Sequence, residues 1–151
     1  MASLLTLTFS QPTRSLKAGE VLIAEGDPGG DIYVLESGEL TVERAGVRLA
    51  SITAPGALVG EMSVLLGTEN TATVRAAKPG SVRVVKDALA YLERQPLVAL
   101  RVAMLLSQRL DATSAVLVEL SRAAGKSGKP AETGIFNRLM SALVAQPADK
   151  G

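Results

Sequence analysis

No cysteine, histidine or tryptophan occurs anywhere in the chain. Without cysteine there can be no disulfide and no thiolate ligand, and without histidine the commonest metal ligand and the commonest general base are missing. A barrel enzyme built around a metal needs a cluster of ligands, so neither a catalytic residue nor a metal site is expected. Aromatics are scarce as well, with two Phe and two Tyr, and a core has to be assembled from small aliphatic layers of Val, Leu, Ile and Ala. Charge of one sign is also lacking. Sixteen basic residues against fifteen acidic ones leave a net charge of +1, which offers no global field to nucleic acid or anionic lipid. The opening stretch Met1 to Phe9 has neither a basic leader nor a run long enough to span a bilayer, so a cytoplasmic protein without membrane contact is expected.

What the 151 residues do contain is apolar material, 47% of the chain, enough for one compact domain with accessory helices. After a segment over 1–15, residues 16–86 form short alternating apolar runs closed by glycine or proline, the pattern of an all-β barrel or sandwich. The runs are Val21 to Ala24, Ile32 to Leu35, Leu40 to Glu43, Val47 to Ile52, Thr71 to Ala77 and Ser81 to Val85. Turns are expected at Gly19, Gly26, Gly29-Gly30, Gly38, Gly46, Pro55-Gly56, Gly67 and Pro79-Gly80, where glycine tolerates positive φ. One stretch, Gly60-Glu61-Met62-Ser63-Val64-Leu65-Leu66, lacks strict alternation and suits a helical turn between strands.

Beyond Lys86 the periodicity becomes helical, over 87–124. Asp87 is placed to N-cap a lid helix from Ala88 to Arg94, and Pro96 to open a longer helix running to Ala124, with Gly125 as its stop. In that helix Ala99, Ala103, Leu106, Leu110, Thr113, Leu117, Leu120 and Ala124 follow 4-3 spacing, a heptad seam of about 3.5 repeats. Periodicity alone allows this seam to meet a second copy or the chain's own barrel. Val98, Val102, Leu105, Val116 and Val118 lie off it, leaving one face for the barrel and one for a homodimer through residues 99–124. Residues 125–130 read as a linker and 131–151 as a short helix and tail, with Ile135, Leu139, Met140 and Leu143 as an apolar stripe.

Gly19-Glu20-Val21-Leu22-Ile23-Ala24-Glu25-Gly26-Asp27, followed by Asp31-Ile32-Tyr33-Val34-Leu35-Glu36-Ser37-Gly38-Glu39-Leu40, resembles the opening strands of the cyclic-nucleotide-binding domain family. The stretch from Gly60 to Leu66, with Ala72-Thr73-Val74, resembles that family's phosphate-binding cassette. Order and spacing together make the likeness specific over about Leu16 to Ala124. Arg109-Leu110-Asp111-Ala112-Thr113-Ser114 is similar to the central helix of catabolite activator protein-type regulators, and Glu132-Thr133-Gly134 through Gln146-Pro147 resembles the helix that follows there. The resemblance implies a mainly β fold with α: a double-stranded β-helix, or jelly-roll-like barrel, then a lid helix, a long dimerisation helix and a short terminal helix. It also implies cyclic AMP (cAMP) as ligand and no required cofactor. Those regulators continue into a helix-turn-helix, whereas this chain stops, so no DNA contact is expected.

A cyclic nucleotide presents a phosphate anion, a ribose 2′-hydroxyl and a base. Gly60 would open a helix whose free N–H groups attract phosphate, with Met62 and Ser63 in the same cassette. By resemblance, the Glu61 carboxylate takes the ribose hydroxyl; read from the residues alone, an acid there merely suits a helix N-terminus. Ungapped alignment puts Glu69-Asn70 where the family has Pro-Arg. Asn70 donates a neutral hydrogen bond in place of a bidentate, charge-assisted pair. Strand parity sets Asn70 with Ala72, Val74 and Ala76 and turns Arg75 to the opposite face, while Lys78 and Arg83 read as surface charges. Thr71 and Thr73 offer hydroxyls, and the resemblance implies that Thr113 and Ser114 meet the adenine edge across a dimer; Thr113 also suits a register-fixing role in the seam. Two functions follow: a sensor coupling occupancy by cyclic AMP, or another small anion, to helix movement, and a degenerate domain kept for dimerisation or protein interaction.

Overall fold

The computed structural model describes residues 2–127 together with 134, 137, 138, 141 and 142. Two compact units divide the chain, Met1–Ala103 and Met104–Gly151. The first holds all the strands: β1 (Thr13–Leu16), β2 (Val21–Ile23), β3 (Ile32–Arg44), β4 (Val47–Ile52), β5 (Leu58–Val59) and β6 (Thr73–Val85). With them are α1 (Leu4–Leu7), α2 (Glu61–Leu66), α3 (Ala88–Arg94) and the first turns of α4 (Pro96–Ser127).

The spine is the antiparallel pair β3 and β6, matched from Ile32↔Val85 to Glu43↔Thr73. The strand order is β1-β6-β3-β4, with β2 added to β6 and β5 to β3. Alternation decides what goes inside. Val74 and Ala76 are buried while Arg75 between them is exposed, and Leu35, Leu40, Val82 and Val84 complete an aliphatic interior with Leu16 and Ile23. The opposite face of the sheet is apolar too. There Ile32, Val34, Leu58 and Val85 converge with Leu4 of α1, Leu92 of α3 and Val98 and Val102 of α4; of the off-seam residues expected on a barrel-facing side, Val98 and Val102 are buried here, whereas Val116 and Val118 are exposed.

Several sequence-based expectations need correction. Gly38 and Pro79-Gly80 are not turns: β3 and β6 run through them as single strands of 13 residues each. Register shifts between Leu35 and Leu40 absorb the irregularity, as β-bulges do. Gly38 sits at φ 93°, and a Cβ on Gly80 would collide with the Ser37 carbonyl oxygen. Two glycines back to back let these paired strands approach each other closely. Asp87 occupies the N-cap position of α3 but makes no side-chain cap; its backbone is left-handed, at φ 46° and ψ 59°. Its N–H instead donates to Asp31 Oδ1 at 3.1 Å. The long helix passes Gly125 and is helical through Ser127, the last residue of its described run, since one exposed glycine costs a helix only about 1 kcal/mol. The short helix expected near residues 132–145, with its apolar stripe, lies largely outside the described residues.

Arg83 is not a solvated surface charge. Its Nη1 donates to the carbonyls of Phe9 (2.6 Å) and Gln11 (3.1 Å), and its Nε forms an ion pair with Glu36 Oε1 at 2.6 Å. Arg83 therefore straps the segment after α1 onto the sheet. β1, α1 and the two-residue β5 were too short to produce a periodic signal.

Candidate functional site

β5 ends at Val59, and Gly60 turns the chain out of the ladder at φ 89° and ψ −6°. A Cβ here would lie 2.7 Å from the Asp31 carbonyl oxygen and 3.3 Å from Ile23 Cδ1. Conformation and space both demand glycine. The six-residue α2 follows and closes at Gly67, also left-handed at φ 64°. Its inward face is Glu61, Ser63 and Val64, each under a tenth exposed, and its outward face is Met62, Leu65 and Leu66. Glu61, at 3% exposure, is a carboxylate held away from solvent, a costly placement that calls for polar company.

Ser63 Oγ lies 3.1 Å from the Gly60 carbonyl and 3.1 Å from Asn70 Oδ1, with one hydroxyl hydrogen to share between two acceptors. Asn70 Nδ2 donates to the Ala24 carbonyl at 3.2 Å. On the backbone, Asn70 N donates to Asp27 O and Gly26 N to Asn70 O, both at 2.9 Å. The structure thus brings Gly60, Glu61, Ser63 and Asn70 together, and turns the Asn70 amide toward the loop after β2. Thr71, Ala72 and Thr73 follow, half-buried, and Thr73 Oγ1 accepts from Glu25 N at 3.1 Å. Met62, expected at the site, points to the exposed side of α2.

Arg75, Lys78 and Arg83, cations that could otherwise stand in for the missing arginine, are each engaged elsewhere. Arg75 Nη1 donates to the Gly19 carbonyl at 2.8 Å, on the outward side as parity required. Lys78 pairs with Glu39 at 3.0 Å, and Arg83 is committed as described. The Glu39 carboxyl is held below the usual range by its hydrogen bond to Ser51 and then by Lys78. In the second unit, Thr113 Oγ1 and Ser114 Oγ donate to the carbonyls of Arg109 (2.7 Å) and Leu110 (2.8 Å), the back-bonding usual for hydroxyls inside helices.

A cavity of about 230 Å³ opens beside the cassette, between Ile23, Tyr33 and the loop Asp27–Asp31, with Asn70 on its wall. Gly60, Glu61 and Thr71 to Thr73 do not line it. Burial raises the Tyr33 phenol above the ordinary tyrosine value, and the negative charge of Asp31 adds to the effect. The sequence reading missed this loop as a part of the site. The Gly29-Gly30 doublet was its only signal, and it reads as a simple turn. Among the described residues, no group of three or more acidic side chains is arranged to hold a metal ion, and no helix is long and apolar enough to cross a membrane.

The pattern for the cyclic nucleotide-binding domain matches residues 13–90. The cyclic AMP receptor protein of Thermus thermophilus is 33% identical over 112 residues, which cover 70% of this chain and 51% of that protein. Glutaminase 2 of Bradyrhizobium diazoefficiens is 35% identical over 115 residues, 72% of this chain and 18% of that protein. Among solved structures, the Thermus thermophilus catabolite activator protein aligns with a TM-score of 0.65 and 32% identity, covering 77% of this chain and 57% of that one. The chain therefore spans about half the length of the Thermus relative and much less of the glutaminase.

Proposed function

Because the chain belongs to the cyclic nucleotide-binding domain family, we propose that it is a regulatory sensor for cyclic AMP with a weakened grip on the phosphate. The observation that carries this reading is the cassette: Gly60 left-handed, and Glu61 buried immediately after it. A buried acid beside a turn of backbone donors suits a ligand offering a hydroxyl and an anion. Asn70 supplies no charge to that anion, and its amide is already engaged by Ser63 and Ala24. Affinity is therefore low, and occupancy is converted into helix movement only to the extent that the ligand prefers one arrangement over another.

Calorimetry with cyclic AMP and its 2′-deoxy analogue tests the role of Glu61. A hydrogen bond to a charged group contributes about 1.5–3 kcal/mol, so the deoxy compound should bind roughly 10- to 150-fold more weakly. Glu61→Gln should narrow that gap. Equal affinity for the two ligands would remove Glu61 from the site.

The engaged amide of Asn70 also supports a second reading, a domain that keeps the fold for protein interaction and binds no nucleotide. Absence of binding by both the native chain and Asn70→Arg would favour it. On either reading we place a homodimer along α4, where the seam residues Leu110 and Leu120 are 50% and 60% exposed in the single chain. Sedimentation equilibrium should give twice the chain mass for the native protein and a monomer for Leu110→Glu/Leu120→Glu. A native monomer at micromolar concentration would count against the seam.

A further inference from the structure

We infer that Asn70 is a positioning residue, a latch that fixes the cassette against the loop after β2 before any ligand arrives. Its side chain joins two segments far apart in sequence: Nδ2 holds the carbonyl of Ala24, the residue just after β2, and Oδ1 accepts from the Ser63 hydroxyl of α2, which it shares with the Gly60 carbonyl. Its backbone adds two more ties, to Asp27 and Gly26. Gly29 closes the arrangement. A Cβ there would collide with Ser63 Oγ and lie 3.1 Å from Asn70 Oδ1, so the loop backbone rests directly on the Ser63–Asn70 pair.

The chemistry explains why a neutral amide suits this place. Asparagine offers a donor and an acceptor on one short planar group, and here a carbonyl and a hydroxyl are waiting on opposite sides. A guanidinium has no acceptor to give Ser63, so arginine would satisfy at most the Ala24 side. The residue that costs the site its positive charge thereby preorganises it. That ordering does not depend on nucleotide binding; only its consequence for a ligand rests on the function proposed above.

Hydrogen exchange of the full chain without nucleotide is the test. In Asn70→Ala, amide protection across 61–68 and at Gly26 should fall about tenfold or more, as for loss of local hydrogen bonding, while amides at the centre of the β3–β6 pair keep theirs. Ser63→Ala, which leaves the tie to Ala24, should give a smaller loss across 61–68, and the double variant should lose less than the sum of the two single losses, because both break the Ser63–Asn70 bond. Asn70→Asp supplies a pH readout that loss of packing would not produce. When ionised, the carboxylate faces the Ala24 carbonyl without a hydrogen to donate, and protection should fall. Once protonated, below the ordinary carboxylate value of about 3.9, it offers one O–H and one acceptor as the amide does, and protection relative to the native chain at the same pH should return. Unchanged protection in both alanine variants, additive losses, or an aspartate deficit independent of pH would each overturn the latch. Because no nucleotide is present, a latch that fails here leaves the sensor reading standing, and a chain that binds no nucleotide can still show the latch.

Discussion

Arginine in place of Asn70 is expected to tighten cyclic AMP binding by up to roughly a thousand-fold, measured by calorimetry at fixed salt. The gross gain is the cost of removing one partner of a buried charged pair, about 2–5 kcal/mol, at about 1.4 kcal/mol per tenfold. Two neutral hydrogen bonds, to Ser63 and Ala24, are given up in exchange. Each contributes about 0.5–1.5 kcal/mol net, so the new charge outweighs the lost latch except at the bottom of the range. The gain should shrink as salt is raised, in proportion to how far the pair is open to solvent. No measurable binding by either the native chain or Asn70→Arg would transfer weight to the interaction-module reading.

The largest effect on stability is expected where Gly80 meets the Ser37 carbonyl. Gly80→Ala should lower unfolding free energy by about 3 kcal/mol or more, at the upper end of overpacking, because the obstacle is the backbone carbonyl of Ser37. A side chain can rotate away; a carbonyl inside a paired strand cannot move without breaking its ladder. Gly19→Ala isolates a backbone effect that Gly80, which is not left-handed, does not carry: at Gly19 φ is 84° and nothing lies within 4 Å of the added carbon. It should cost only the left-handed backbone penalty, about 1–2 kcal/mol. Urea denaturation of both variants separates the two effects. A loss in Gly80→Ala no larger than that in Gly19→Ala would mean that the Ser37 carbonyl yields to the added carbon.

Much of the architecture could be read from neighbouring residues. Alternation of Val74, Arg75 and Ala76 announced both the strand and its buried face, and the structure agrees in placing Arg75 outside. The irregular run from Gly60 to Leu66 announced α2, because a helix and a strand cannot share one hydrophobic period. Gly38 and Gly80 were misread as turns for an equally local reason. A glycine required by a neighbouring strand leaves the same trace in sequence as one required by its own φ.

Composition, period and turn chemistry are properties of adjacent residues, and they determined the β-then-α order, the cassette helix and the absence of an arginine at position 70. Which atoms the Asn70 amide would hold, and that Arg83 would strap down the segment after α1, depended on contacts across 46 and more than 70 positions. Such pairings are settled only when the sheet curls and sets distant segments against each other, since a side chain's partner is chosen by position in space and its type states only what it can donate or accept.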